Sequence, residues 1–368
     1  MLVKVSQSDF FEKLQIVQRG TSSQSTLPIL SGIKINADSK DSIHLHSTDL
    51  ELSMKVECAA AVKTKGSLVV NGKLLADIFK FIPDGTVELG LRNEGRQLHI
   101  SAGRASFNVQ TMPVDDFPAF PESQAGQEID IEGPVLFEAL KQTSKAISRD
   151  ETRPVLTGAM LKIEKNTMLV VATDSYRLAY KSSKIKNPKK LDFSVLVPYR
   201  AVEEIQKLSI GAEKINLSTD GNLLRIETDK SRLFTRLIEG QFPNYEQLIP
   251  KEAKLTVEAE KSDLSGAISQ ASLMAQKNMS IKISVKDGEM KISAATAGVG
   301  EVDSTIKADT TGETIEEMAF NAQYLLDGIQ AAPGDNILLE FNGLVNPGLI
   351  KSSTDTSYMY LAMPIRIS

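Results

Sequence analysis

Three times along the chain a short apolar run leads into an amphipathic segment that stops at a helix breaker. Residues 67–70 (Ser-Leu-Val-Val) lead into 71–85, where Leu74, Leu75, Ile78 and Ile82 recur at helical spacing before Pro83 and Gly85. Residues 194–198 lead into 199–209, with Ala201, Val202, Ile205 and Leu208 as the apolar stripe. Residues 317–320 lead into 321–332, with Tyr324, Leu325 and Ile329, and Pro333 and Gly334 follow. An acid stands at the same place in all three: Asp77, Glu204 and Asp327. The copies lie about 125 residues apart, too long for a solenoid repeat and the size of a small domain. The spacing predicts one domain written three times, over 1–127, 128–253 and 254–368.

The segments between these helices support the same division. A second helix is predicted early in each copy: from Ser8 or Asp9 to about Gln18, from Gly133 to about Ile147, and over 262–275, where Leu264, Ile268 and Leu273 recur. Residues 26–32 (Thr-Leu-Pro-Ile-Leu-Ser-Gly) are echoed by 152–158 (Thr-Arg-Pro-Val-Leu-Thr-Gly), and 26–35 are expected to form a strand kinked at Pro28. Residues 43–47, 50–56, 86–91, 97–100, 106–111, 169–173, 177–181, 215–218, 223–228, 280–285 and 289–294 read as further short strands, most of them alternating and half-exposed. Residues 117–127 read as a linker, and Phe242 with Pro243 repeats the Phe117–Pro118 pair. Met363 and Pro364 stand where Met112 and Pro113 stand in the first copy; no linker follows them, so the tail is free for another task. Each copy is thus two helices and about eight short strands, and the expected class is α+β, with helices on one side of antiparallel sheets.

Composition narrows the setting. Hydrophobic residues make 41% and charged residues 24%, ordinary for a soluble globular chain, and a net charge of −5 excludes a uniformly basic coat while allowing local basic patches. The single Cys58 rules out an internal disulfide and fits a reducing compartment. The first residues read as a strand and not a leader, and no apolar run approaches the roughly 20 residues of a membrane span. The cytoplasm is the expected location.

Catalytic signatures are weak. Gly66, Gly72 and Lys73 miss a phosphate loop by one residue of spacing, and Leu74 stands where a magnesium-holding hydroxyl is needed. Gly298 and Gly300 lack the third glycine of a dinucleotide loop. His44 and His46 share a strand face and suggest a metal only if a third ligand joins them; a solvated face is the plainer reading. Asp115–Asp116 and Glu203–Glu204 are adjacent pairs that diverge on regular elements, and Cys58 reads as a small buried residue. Cations are more informative. Lys13, Arg19, Lys73, Lys80, Lys141, Lys145, Arg149, Arg200 and Lys207 fall on or beside the helices of the first two copies, many opposite the apolar stripe, whereas 321–332 carry none. Their recurrence favours a surface facing a polyanion, and with aromatic residues at 5% that surface touches phosphates without stacking on bases.

The threefold period, the 26–30 segment, residues 172–178 (Ala-Thr-Asp-Ser-Tyr-Arg-Leu) and the terminal Met-Pro-Ile-Arg together resemble the bacterial replicative sliding clamps, the β subunits of DNA polymerase III. The similarity covers essentially the whole chain. It implies a non-catalytic processivity factor without a cofactor: a head-to-tail homodimer forming a six-domain ring, helices lining the hole and sheets forming the outer wall. It also implies double-stranded DNA as a partner without sequence preference, together with the polymerase III catalytic subunit, the clamp loader, and other polymerases and repair proteins that carry a clamp-binding peptide. The alternatives from the residues alone are a monomeric protein-interaction scaffold with a basic helical face, and a metal enzyme built on His44 and His46.

Three groups of positions match the family's sites. For DNA they are Gln24, Lys73, Asp150, Pro154 and Val155, with Arg149 and Arg200 nearby; Gln24 replaces a cation of some members and Asp150 is acidic. For the ring joint they are Phe107 and Val109, facing Leu273 and Met274 of the other chain. For the peptide groove they are Arg153, Leu156, Thr173, Ser175, Tyr176, Arg177, Leu178, Pro243, Gln247, Leu248, Tyr324, Val345, Pro347, Leu361, Ala362, Met363, Pro364, Ile365 and Arg366. The groove takes a short, Gln-containing apolar peptide. Gln247 stands for a cation of some members and Ser175–Tyr176 for a smaller pair.

Overall fold

A computed structural model describes residues 1–22, 25–121, 126–275 and 279–366. Six α-helices are seen among them: α1 (Gln7–Val17), α2 (Gly72–Phe81), α3 (Gly133–Thr143), α4 (Tyr199–Ser209), α5 (Lys261–Ser272) and α6 (Ala322–Ala331). The helices that follow the three apolar runs are α2, α4 and α6. Asn71 caps α2, its side-chain oxygen accepting from Leu74 N at 2.9 Å, and Asn321 caps α6 by accepting from Gln323 N and Tyr324 N. The same residue thus satisfies the third following amide in two copies, and the second as well in α6.

The chain divides into two compact units, residues 1–133 with 207–237, and residues 134–206 with 238–368. The middle copy is split between them because its two halves extend different sheets. In the first unit, Ser231–Arg236 pairs antiparallel with Leu52–Ala59, and Gln127–Glu132, Lys214–Thr219, Leu223–Glu227 and Ser231–Arg236 join four strands of the first copy in an eight-stranded sheet. In the second unit, Arg177–Lys184 pairs antiparallel with Tyr358–Ala362, giving a nine-stranded sheet from Phe193–Pro198 to Asp309–Gly312. A five-stranded sheet ends on Ala105–Gln110, and a four-stranded sheet has edges at Gly300–Lys307 and Ile315–Asn321.

The core of the first unit includes Phe10 of α1 and Phe79 of α2, ring centroids 4.5 Å apart, over fully buried Ile33, Ile35, Ile43 and Leu45. In the second unit α6 lies so close to Tyr360 that a Cβ on Gly328 would stand 2.5 Å from its ring, and the Tyr358 hydroxyl donates to Gly328 O at 2.9 Å. Only glycine allows that approach, and it fixes the height of Asp327 above the last strand.

Four expectations are corrected. Residues 26–31 do not enter the strand: Pro28–Ser31 is a 3-10 turn and the strand is Gly32–Ala37; Pro154–Leu156 repeats the turn before Gly158–Glu164. Proline at the first position of such a turn supplies the right φ and needs no donor. Leu74 is 46% exposed, and the buried arc of α2 is Leu75, Ala76, Ile78 and Phe79. Lys13 is buried beside Asp9 and Glu12, so it is no solvent-facing cation. Leu273 follows the end of α5 and is 68% exposed, the helix burying Leu264, Ala267, Ile268 and Ala271 instead.

Candidate functional site

The second unit holds an open cavity of about 370 Å³ at one end of its large sheet. One wall is the turn between Thr167–Thr173 and Arg177–Lys184. Thr173 Oγ1 donates to Arg177 O and accepts from Ser175 N, while Asp174 Oδ1 accepts from Tyr176 N and Arg177 N, both at 2.9 Å. These bonds hold Ser175 at φ 78°, a left-handed conformation that glycine adopts more easily. The opposite wall is Gln247, Leu248, Ile249 and Pro250, from a 3-10 turn at Tyr245–Leu248 and the residues after it. Asn342, Asn346 and Pro347 close one side, Leu178 and Leu361 lie beneath, and Met363 borders the opening.

Arg177 is the charged element of this wall. Its Nε donates to Asp174 at 2.9 Å and its Nη1 to Asp327 of α6 at 2.5 Å, with the Tyr360 hydroxyl 3.4 Å from Nη1. The guanidinium carbon lies 4.3 Å from the Tyr324 ring centroid. Burial works against this charge, but Tyr360 and the carboxylates of Asp327 and Asp174 outweigh it and raise the Arg177 pKa. Burial also raises the Tyr360 pKa, so its phenol stays protonated at neutral pH.

The tail is pinned at two places, the cavity wall and the edge strand Ile315–Asn321. Met363 N donates to Tyr176 O at 2.8 Å, and Ile365 N to Ala319 O at 2.7 Å. Ten of the groove positions named from sequence therefore border one cavity: Thr173, Ser175, Tyr176, Arg177, Leu178, Gln247, Leu248, Pro347, Leu361 and Met363. Arg153 joins them through Ser175, its Nη1 donating to the hydroxyl at 2.9 Å, and Tyr324 through its stack on Arg177. Leu156 and Ala362 are buried in the packing; Pro243, Val345 and Arg366 are exposed, and Pro364 and Ile365 half-buried, off the cavity lining. Sequence reasoning missed Ile249, Pro250, Asn342 and Asn346 among the lining residues, and Asp327 as the anchor of Arg177. The shared acid at 77, 204 and 327 was the available signal.

Of the DNA positions, Gln24 lies outside the described residues. Lys73 is exposed in the first turn of α2, and Arg200 is exposed in α4. Arg149 stacks on Tyr199, whose hydroxyl donates to Glu203. Asp150 is exposed and occupied locally: Thr152 N and Oγ1 donate to it and Arg153 stands at 3.6 Å, interactions that lower its pKa, the Thr152 bonds first. Pro154 is exposed and Val155 half-buried in the turn that follows. Phe107 is half-buried and Val109 buried on the edge strand Ala105–Gln110, and Met274 is half-buried next to exposed Leu273. Among the described residues no three His, Cys, Asp or Glu side chains stand at metal-binding spacing; His46 packs edge-on to Phe120, and burial followed by Lys55 lowers its pKa to about 3.

Models of the DNA polymerase III beta subunit match in chain order: its N-terminal domain over residues 1–121, its central domain over 130–244 and its C-terminal domain over 246–366. A beta sliding clamp of Staphylococcus aureus is 30% identical over 368 residues, covering 97% of each chain. The crystal structure of the Bacillus subtilis DNA polymerase sliding clamp superposes with a TM-score of 0.95 at 29% identity, over all of both chains. A sliding clamp from Bartonella birtlesii, solved bound to griselimycin, gives 0.94 at 27% identity, again over all of both chains. The chain belongs to the DNA polymerase III beta-subunit family, the sliding clamps that serve replication as processivity factors.

Proposed function

We propose that this chain tethers the replicative polymerase to double-stranded DNA by enclosure, closing with a second copy into a ring. The observation that carries the reading is the run of three clamp domains along 1–366, supported by the threefold period in the sequence. We take the domains as 1–127, 128–253 and 254–368. Head-to-tail association closes only when the rotation per unit closes, and three similar domains per chain permit a pseudo-sixfold arrangement. Phe107 and Val109 on an edge strand, with Leu273 and Met274 of the other copy, form the joint; the exposure of Leu273 supports this. Pairing the edges Ala105–Gln110 and Gly300–Lys307 between copies would remove two free strand edges.

DNA in the hole meets Lys73, Arg149 and Arg200, with Gln24, Asp150, Pro154 and Val155 at the neighbouring positions. Screened phosphate contacts suffice because topology retains the DNA, and they leave sliding unimpeded. The cavity at Arg177 is the groove for a short Gln-containing apolar peptide of the polymerase III catalytic subunit, the clamp loader, other polymerases and repair proteins. Leu178, Leu248, Leu361 and Met363 supply the apolar contacts, Arg153 and Arg177 the donors, and Arg366, off the lining, a further donor only to a peptide that reaches past the rim. The griselimycin-bound Bartonella structure supports a ligand-binding role for clamps of this fold. The protein works in the cytoplasm without a catalytic centre, and its loading requires a separate ATPase.

The test is retention after loading. Protein loaded on nicked circular DNA stays bound through gel filtration and is lost once the circle is cut, whereas equal loss from both forms would refute enclosure. A solution mass of one chain would favour the monomeric scaffold.

A further inference from the structure

We propose that the partner peptide does not end at the groove but continues into a second pocket on the same sheet, where an aromatic side chain of the partner anchors it. The proposal rests on the groove reading above. The second pocket has a volume of about 670 Å³, larger than the groove itself. Half-buried Leu169, Tyr180, Ile249 and Met359 give it an apolar surface, and Tyr245 lies beside Tyr180 with ring centroids 6.2 Å apart. Tyr245 is buried and holds its neighbour in place, so the half-buried Tyr180 ring is the one left to meet a third.

The two pockets are neighbours by construction. The 3-10 turn Tyr245–Leu248 stands between them: Gln247 and Leu248 face the groove, Tyr245 and Glu246 face the second pocket, and Ile249 borders both. They also share strands. Thr173 borders the groove and Leu169 the second pocket four residues apart on one strand; Leu361 and Met359, and Leu178 and Tyr180, do so two residues apart on two others. Spacings of two to four strand residues span roughly 7–13 Å, so up to about four residues of extended peptide bridge the pockets.

The rim selects a polar, mixed-charge connection. Lys162 pairs with Glu164 and Lys351 with Glu340, while Lys165 and Glu246 also border the opening. Paired rim charges discourage a uniformly acidic or basic segment and leave the apolar interior as the source of affinity. The occupant is therefore an extended protein segment with an aromatic residue about four positions beyond the groove-binding motif.

The experiment titrates the full-length protein with three fluorescent peptides: a Gln-containing apolar pentapeptide, and the same peptide extended by five residues at its N-terminus or at its C-terminus, with Phe at the fourth added position. One extended peptide binds about tenfold more tightly than the pentapeptide, the gain expected of one buried ring. Thr167→Arg, which fills the second pocket with a long cation, removes that gain and leaves pentapeptide binding unchanged; Phe→Ser in the extension does the same without touching the protein. Equal affinity of all three peptides overturns the second pocket and leaves the groove standing. Failure of all three to bind overturns both, and a gain that survives Thr167→Arg and the Phe→Ser change overturns the anchor.

Discussion

The Arg153 guanidinium donates to the Ser175 hydroxyl across 2.9 Å, joining two segments of the groove mouth that lie 22 residues apart. Ser175 holds this place at φ 78°, where a side chain costs about 1–2 kcal/mol relative to glycine. With Asp150 at 3.6 Å on its other side, Arg153 is positioned at the rim. Ser175→Gly should relieve the backbone and lose the hydroxyl together. The expected outcome is an unfolding temperature equal to or above the parent's, with peptide affinity reduced about threefold to tenfold, the scale of one ordinary hydrogen bond, since the bond acts on the peptide only through the placement of Arg153. Thermal unfolding and peptide titration on the same sample decide it; a fall in both would make Ser175 structural only.

Asp327 does for Arg177 what Ser175 does for Arg153, but in a drier place, with side-chain exposures of 13% for the arginine and 10% for the aspartate. Removing Asp327 leaves Asp174 as the remaining counter-ion of the guanidinium, so the cost falls below the roughly 3–5 kcal/mol of a fully unpaired buried charge. Asp327→Asn should lower the unfolding midpoint and weaken peptide binding together. The combined change Arg177→Met, Asp327→Leu and Asp174→Asn, which leaves no unpaired carboxylate at 174 and keeps its side-chain oxygen for the turn, should recover much of the stability and none of the binding. Recovery of both would show that the guanidinium does not contact the peptide.

How far the chain is legible depends on the range of the forces involved. The capped helices α2 and α6 can be read because Asn71 and Asn321 and the apolar stripes act within one or two turns. The 3-10 turn at Pro28 reads as strand because a proline before apolar residues suits either, and only the packing of Leu30 decides; Pro154 and Leu156 repeat the turn. Lys13 reads as an outer-face cation, although Asp9, four residues earlier, already offers it a partner. The split of the middle copy between two sheets is not legible, since the pairing of Ser231–Arg236 with Leu52–Ala59 is a long-range event. Nor is the Arg177–Asp327 pair, 150 residues apart, beyond the recurrence of an acid in each second helix.

The exposure of Leu273 makes the ring joint testable without ambiguity from folding. At 68% exposed it contributes little to its own unit, so Leu273→Lys should leave the unfolding midpoint of the monomer within about 0.5 kcal/mol of the parent. A charge placed in an apolar joint should nevertheless dissociate the dimer. Sedimentation equilibrium is expected to shift from two chains to one. A variant that stays dimeric would place the joint elsewhere.

Lys73 and Lys13 separate phosphate binding from structure. Lys73 is exposed, whereas Lys13 is buried against Asp9 and Glu12. Lys73→Gln should reduce the salt dependence of DNA binding, lowering the log–log slope by roughly 0.9 for each phosphate that the lysine neutralises, and leave stability unchanged. Lys13→Gln should do the reverse. Binding titrations over a range of salt concentrations distinguish them, and an unchanged slope for Lys73→Gln would remove it from the DNA-facing surface.

His46 sets an acid limit on the first unit. Burial, then Lys55, lowers its pKa to about 3 from an ordinary 6.5, so the folded protein keeps the ring neutral where the unfolded chain would protonate it. The unfolded state therefore binds more protons between pH 6.5 and 3, and stability falls as pH drops through that window. His46 retains some exposure, so about 1–2 kcal/mol is the expected loss between roughly pH 7.5 and 5. His46→Gln should flatten the dependence of the urea midpoint over this range, because glutamine does not titrate. A parent protein whose midpoint stays unchanged across that range would mean that the ring opens to solvent and protonates freely, against its edge-on packing on Phe120.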